Sequence, residues 1–167
     1  MKAIYESKLG LILMETGTCC TNGSEALARL VFVDDAKLAE GLPRAGEVKD
    51  SPVIAQCARE LDEYFSGTRK TFDVPIMLKG TPFREKVWAQ LEHIPFGETI
   101  SYLELANRVG NPKASRAVGS ANGKNSIWLI IPCHRVITSD GSLGGYAGGL
   151  WRKEWLLEHE GVKICKK

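Results

Sequence analysis

A change of grammar near residue 80 constrains this chain more than any other feature: strand-like runs come before it and helix signals after it. In the first part, Leu9-Gly10-Leu11-Ile12-Leu13-Met14 and Leu27-Ala28-Arg29-Leu30-Val31-Phe32-Val33 are separated by breaks at Thr16-Gly17-Thr18 and Thr21-Asn22-Gly23-Ser24. Apolar runs bounded by Gly, Thr and Asn predict antiparallel strands, with a hairpin near Asn22-Gly23. Residues 34–50 are charged and contain Gly and Pro, which predicts a loop. Next, Ser51 can cap a helix, Pro52 suits its first turn, Ile54, Cys57, Ala58, Leu61 and Phe65 form an apolar stripe, and Gly67 ends it. The extended piece Lys70-Thr71-Phe72-Asp73-Val74-Pro75 is expected to return to the sheet. Residues 1–77 thus read as a small α/β domain without a chemical motif.

From residue 78 onward the expected fold is mostly helical, which makes the chain α+β. Thr81 and Pro82 start a helix carrying Phe83, Val87, Trp88 and Leu91, closed by Ile94-Pro95 and Phe96-Gly97. Ser101-Tyr102-Leu103-Glu104 has the spacing of a capping box, Leu105, Ala106 and Val109 follow, and Gly110 is the stop. After the Asn111-Pro112 turn, residues 113–122 form a second short helix, so the pair has the grammar of a helix-turn-helix. Apart from Lys113 and Arg116, that second helix is built mainly from Ala, Ser, Gly and Val. Small side chains permit close approach to a narrow DNA groove, with Arg116 reaching in, or to a neighbouring helix, with Arg116 solvated. The pattern leaves both open. A closing amphipathic helix spans residues 150–159, stopped by Gly161.

At 167 residues and 44% hydrophobic content the chain can bury a real core. No run is long enough for a membrane span, and Met1-Lys2-Ala3-Ile4-Tyr5-Glu6 lacks the apolar region of a signal peptide, so an intracellular, cytoplasmic protein is expected, or a nuclear one in a eukaryote. Five cysteines, an odd number without a C-x-x-C pair, are expected to be free thiols. Residues 1–75 hold nine Lys and Arg against twelve Asp and Glu, whereas residues 76–167 hold thirteen against eight. The second half is therefore the candidate for a polyanion surface, although a mild basic bias is more often a solvated face.

The chemistry centres on residues 126–136. Ser126-Ile127-Trp128-Leu129-Ile130-Ile131 is an apolar, β-branched run that predicts a buried strand, and Pro132 ends any ladder. Cys133 would then sit where rigid backbone meets a turn, as suits a nucleophile. A free thiol titrates near 8.5 and needs a base, cation or helix N-terminus to become a thiolate. His134 is adjacent, but bonded neighbours diverge, so one water would have to join them, with a carboxylate holding the other imidazole nitrogen. Other readings compete: an inert core cysteine; a zinc ligand, weakened by having only His93, His134 and His159 and no cysteine pair; and a cysteine hydrolase, for which no oxyanion hole is evident. Downstream, residues 140–149 contain five glycines, which predicts a loop lining a pocket.

Pro132-Cys133-His134-Arg135-Val136, set between a helix-turn-helix and a Gly-rich loop, resembles the O6-alkylguanine-DNA alkyltransferases, or methylated-DNA–protein-cysteine methyltransferases. The resemblance spans residues 78–161 and includes Ile100-Ser101-Tyr102, Gly110-Asn111-Pro112-Lys113-Ala114, Arg116-Ala117-Val118-Gly119, Asn125, Tyr146, Lys153-Glu154-Trp155-Leu156-Leu157 and Glu160-Gly161. It implies an RNase H-like N-terminal domain of structural role and a winged-helix-like C-terminal domain. It also implies direct repair: an O6-alkylguanine is flipped out of duplex DNA, and its alkyl group passes irreversibly to Cys133 in a single turnover, without a cofactor. By resemblance, His134 is the water-mediated base, Glu160 orients it, Asn125 braces the turn, and Tyr102 presses on the phosphate and donates toward the purine. Arg116 fills the vacated stack, and Lys113, Ser115 and Ala117 accompany it in the minor groove. The backbone carbonyls of Cys133 and Val136 read the guanine amine, and the Tyr146–Ala147 loop faces O6. Trp128 is expected at the pocket mouth, restricting large alkyl groups. With no histidine before His93, no metal is expected in the first domain, and the protein is expected to act as a monomer. An alkyltransferase-like lesion sensor would lack the acceptor cysteine, and an alkylation-sensing regulator would need a further domain.

Overall fold

The computed structural model describes residues 1–19 and 23–164, and it divides into two compact units, Met1–Leu78 and Lys79–Lys167.

The first unit is a three-stranded antiparallel sheet in the order β1 (Lys2–Ser7), β2 (Gly10–Thr18), β3 (Glu25–Val33), covered by helix α1 (Pro52–Ser66). The sequence pattern did not mark β1, because only its Ala3 and Ile4 are buried and the alternation is too short to register. Strand β2 also continues through Thr16-Gly17-Thr18 rather than breaking there: a register shift between Glu15 and Thr16 absorbs the irregularity. Gly17 belongs in the strand because a Cβ would meet Met77 Cε at 2.7 Å. Asn22 of the expected hairpin lies outside the described residues; beside it, the Cys19 N–H donates to the Ser24 carbonyl at 2.8 Å. Helix α1 begins as expected, with Ser51 Oγ accepting from the Ile54 N–H at 3.1 Å, and ends on Gly67 at φ 83°. The extended piece 70–75 reaches the sheet only at its end, where the Pro75 carbonyl accepts from the Leu27 N–H of β3 at 2.8 Å. The Met77 N–H returns a bond to the Leu27 carbonyl at 2.8 Å, completing a single parallel bridge centred on Ile76.

The second unit holds α2 (Pro82–Leu91), α3 (Tyr102–Arg108), α4 (Ser115–Gly123) and α5 (Leu150–His159), with a short parallel pair, β4 (Ile100–Ser101) and β5 (Val136–Ile137), that the sequence did not announce. Val87, Trp88 and Leu91 of α2 are buried and Trp88 Nε1 donates to the Ala121 carbonyl at 2.9 Å, but Phe83, expected on that stripe, is exposed. Ser101 Oγ caps α3 by accepting from the Glu104 N–H at 3.0 Å. The Glu104 carboxylate turns to Arg108 rather than back to complete the box. Gly110, at φ 79°, stops α3. Helix α4 starts at Ser115, leaving Lys113 in the connecting turn.

The main correction concerns residues 126–131, which form bends and a tight turn around a single bridge residue, Ile127, rather than a strand. Leu129 adopts φ 70°, the one non-glycine positive φ among the described residues, and the Ile130 and Ile131 N–H groups fold back onto the Trp128 and Ile127 carbonyls. The burial expected of this run is present, since Ile127, Leu129 and Ile131 are all in the core. Its extended conformation is not, because Asn125 supplies the hydrogen bonds a ladder would have made. Among the described residues no helix is long and apolar enough to cross a membrane.

Candidate active site

A pocket of about 250 Å³ opens beside the helix-turn-helix and is lined by Tyr102 at the start of α3, by Gly119, Asn122 and Gly123 of α4, by Trp128 and Cys133, and by Gly145, Tyr146 and Ala147. Each wall has a local cause. Asn125, buried, donates from Nδ2 to the Ile131 carbonyl at 2.8 Å and accepts at Oδ1 from the Ile127 N–H at 2.9 Å, which fixes the turn leading to Cys133. Trp128 Nε1 donates to the Asn125 carbonyl at 2.8 Å, and its ring lies 5.7 Å from that of Tyr146, so two aromatic walls brace each other. The Gly-rich loop is anchored from below by Lys153: its buried ammonium donates to the carbonyls of Val136, at 2.6 Å, and Leu143. Gly144, at φ 65°, lets this loop pass Tyr102, because a Cβ there would lie 3.2 Å from the Tyr102 ring.

Pro132 precedes a single 3-10 turn, Cys133–Arg135, that sends three successive side chains in three directions. Cys133 faces the pocket. His134 is fully buried, and its Nε2 lies 2.9 Å from Glu160 Oε1, at the C-terminal cap of α5. Arg135 turns to the same carboxylate: Nε donates to Oε2 at 2.8 Å and Nη2 to Oε1 at 3.0 Å, while Nη1 holds the Ile94 carbonyl at 2.7 Å. The carboxylate therefore joins a histidine and an arginine in a buried arrangement, bidentate toward the arginine.

The electrostatics follow from burial. The Cys133 thiol is pushed up to about 11 by burial, against the downward pull of Asn125 and the Lys153 charge, so at rest it is a neutral thiol. Burial also lowers His134, overcoming the raising effect of Glu160, and leaves a neutral imidazole whose Nδ1 is buried without a protein partner. Glu160 is held well below the usual carboxylate range: burial would raise it, but the bonds to His134 and Arg135 prevail. Lys153 is lowered to about 8 by burial, an effect the Cys133 charge opposes.

Of the residues singled out in the sequence, the structure brings Cys133, Tyr102, Trp128, Tyr146 and Ala147 to one pocket, pairs His134 with Glu160, and sets Asn125 beneath them. Val136 is not on the pocket wall; it is fully buried, with its carbonyl engaged by Lys153. Lys113, Arg116 and Ala117 are exposed and Ser115 is half-buried, while Val118, Ala121 and Asn122 form the packed side of α4. One face of the small-residue helix is thus packed and the other, with Arg116, is open to solvent. Arg135 and Lys153 stood in the quoted motifs without a role of their own, and Asn122 was not singled out. Arg135 had a weak signal as a cation inside an otherwise apolar run, but nothing local distinguishes Lys153 or Asn122. Among the described residues, no three His, Cys, Asp or Glu side chains gather as a metal site.

Residues 82–162 match the 6-O-methylguanine DNA methyltransferase DNA-binding domain, and residues 1–78 match the ribonuclease-like domain of the same family. A methylated-DNA–protein-cysteine methyltransferase of Methanosarcina acetivorans is 45% identical over 95% of this chain and 97% of its own. The constitutive enzyme of that name from Bacillus subtilis is 48% identical over 72% of this chain and 74% of its own. Among solved structures, Mycobacterium tuberculosis OGT in complex with DNA superposes with a TM-score of 0.79 at 39% identity, over 95% of this chain and 91% of that one. With both of its units matched in order and near full-length relatives at this identity, the chain belongs to the 6-O-methylguanine DNA methyltransferase family.

Proposed function

We propose that this protein repairs O6-alkylguanine in double-stranded DNA by transferring the alkyl group irreversibly to Cys133. The observation that carries the reading is a thiol on the wall of a pocket beside a helix-turn-helix, backed by His134, Glu160 and Arg135 in unbroken hydrogen-bond contact. The named activity of the relatives and the DNA bound to M. tuberculosis OGT support the same substrate and partner.

In this reading Ser115, Arg116 and Ala117 of α4, with Lys113 of the turn before it, enter the minor groove, and the damaged nucleotide rotates into the pocket at an unstacking cost of a few kcal/mol. Arg116 takes the vacated place in the stack, and Tyr102 presses on the flanking phosphate. The Cys133 proton passes through one water to His134 Nδ1, and Glu160 stabilises the imidazolium that forms. Sγ then attacks the alkyl carbon; the S–C bond forms as the C–O6 bond breaks, and the purine leaves with the electron pair, met by the Tyr102 hydroxyl as donor. Restored guanine gains a proton, and Cys133 becomes a thioether. No step removes the alkyl group again, so each chain acts once, as a monomer, without a cofactor, and inside the cell where DNA is found.

The test is direct. After incubation with duplex DNA containing O6-methylguanine, the intact mass rises by one methylene and peptide mapping places the methyl on Cys133. An unchanged mass, or activity surviving Cys133→Ser with methyl on another cysteine, overturns the reading.

A further inference from the structure

Glu160 is bonded by two side chains that can carry positive charge, and burial leaves room for only one of them to do so. Its Oε1 accepts from His134 Nε2 at 2.9 Å and from Arg135 Nη2 at 3.0 Å, and its Oε2 accepts from Arg135 Nε at 2.8 Å. The side chains of His134 and Glu160 are fully buried and that of Arg135 nearly so. The remaining guanidinium nitrogen, Nη1, holds the Ile94 carbonyl, so every nitrogen of Arg135 is engaged.

A guanidinium only donates, so both oxygens facing Arg135 must accept, and Glu160 must be ionised. An ionised carboxylate in turn only accepts from His134. The imidazole proton therefore sits on Nε2, and the lone pair is left on Nδ1, the buried ring atom without a protein partner. Charge balance points the same way. With Arg135 charged, the cluster is neutral when His134 is neutral, and a proton on the imidazole would leave a net positive charge buried. Without Arg135 the order inverts: Glu160 becomes the uncompensated charge, and a proton taken up by His134 restores the balance. The other groups that face the imidazole do not change this comparison. Lys153 of α5 also disfavours a charged ring, but it is held by the Val136 and Leu143 carbonyls whether or not Arg135 is present, and the neighbouring Cys133 is a neutral thiol at rest.

We infer that Arg135 is a positioning residue of the transfer: its guanidinium supplies the positive charge that Glu160 would otherwise draw from a proton on His134, and so keeps the imidazole neutral with Nδ1 free to act as the base. The inference rests on the proposed function and adds a residue to it.

The chain has three histidines, so imidazole nitrogen-15 spectra of labelled protein can follow His134 through a pH titration, with His134→Gln assigning its signals. In wild type at about pH 7 the His134 ring is expected to be neutral with its proton on Nε2. Arg135→Met, which keeps much of the length and removes the charge, raises the midpoint of the His134 titration by about one pH unit or more. Arg135→Lys, which keeps the charge, stays within about half a unit of wild type. The rate of methyl transfer from duplex O6-methylguanine, measured over the same pH range and per folded molecule, shows the same upward displacement of its acid limb in Arg135→Met. If Arg135 only braces the fold, Arg135→Met lowers Tm and leaves both midpoints in place, which overturns the inference. A charged His134 ring in wild type at neutral pH, or a proton on Nδ1, overturns it without any variant. No transfer from O6-methylguanine by wild type would instead defeat the proposed function, and the titration, which needs no substrate, tells the two failures apart.

Discussion

Replacing Glu160 by Gln isolates the buried ion network, because the change keeps the shape and removes the charge. The wild-type carboxylate is fully buried and accepts from His134 at 2.9 Å, from Arg135 at 2.8 and 3.0 Å, and from the Gly97 N–H at 3.3 Å. A glutamine has one acceptor oxygen and an NH₂ group that would face one of the Arg135 donors. Removing one partner of a buried pair costs roughly 3–5 kcal/mol, since the guanidinium is left charged and without its counter-ion in a buried site. At about 2–4 °C per kcal/mol for a chain of this size, Tm should fall by roughly 6–20 °C. A pH series identifies the cause. The folded-state pKa of Glu160 lies below its ordinary value of 4.5. Its stabilisation is therefore complete above about pH 4.5 and is lost as pH falls toward the depressed folded value. Between about pH 4 and 3 the wild type should lose about 1.4 kcal/mol per pH unit from this one carboxylate, and Glu160→Gln should lack that component. Denaturant unfolding at a series of pH values reads both quantities. A Tm within about 2 °C of wild type, or an unchanged acid slope, would refute the reasoning.

Three further outcomes are expected. Alkylation of Cys133 by iodoacetamide should be slow at pH 7 and rise close to tenfold per pH unit toward the raised value of about 11; a plateau near neutral pH would mean a thiolate at rest. Arg116→Ala should slow repair of duplex substrate severalfold while leaving the reaction with free O6-benzylguanine near normal, because Arg116 is exposed on α4 and absent from the pocket lining; equal losses on both contradict the stack-filling role. Asn125→Leu should cost about 2–4 kcal/mol, since the Ile127 N–H and Ile131 carbonyl both lose their partner, and chemical denaturation monitored by Trp fluorescence measures it.

What the sequence disclosed and what it withheld differ in range. Ser51, Thr81, Ser101, Gly67 and Gly110 mark helix ends through bonds spanning three or four residues, and all five hold the positions their types imply. The run at 126–131 shows where such reasoning fails. Its β-branched, apolar composition reports burial correctly, but burial does not specify an extended backbone once a side chain such as Asn125 offers competing hydrogen bonds. Arg135 and Lys153 lie beyond any local rule. Each is a cation in the core, stabilised by groups 25 residues away in one case and 17 and 10 in the other. Such partners become neighbours only when the chain is folded. The family motifs placed Cys133, His134 and Glu160 together for the same reason in reverse: a motif records the fold that its residues need.

Burial of Cys133 looks at first like an obstacle to its chemistry. With the thiol near 11, only about one molecule in ten thousand carries a thiolate at pH 7, which corresponds to about 5–6 kcal/mol for ionisation. For a residue that can be used once, that cost is protective, because oxidation and adventitious alkylation both follow thiolate character and exposure. The groups that would offset it, a neutral His134 aligned by Glu160 and a lysine below the Gly-rich loop, are already placed and need little rearrangement. A substrate in the pocket then has only to supply the electrophile and exclude competing solvent. Reactivity made conditional on occupancy predicts that mutations opening the pocket, such as Trp128→Ala, raise iodoacetamide labelling of Cys133 even where they impair repair. Labelling unchanged by Trp128→Ala would show that the walls of the pocket do not guard the thiol.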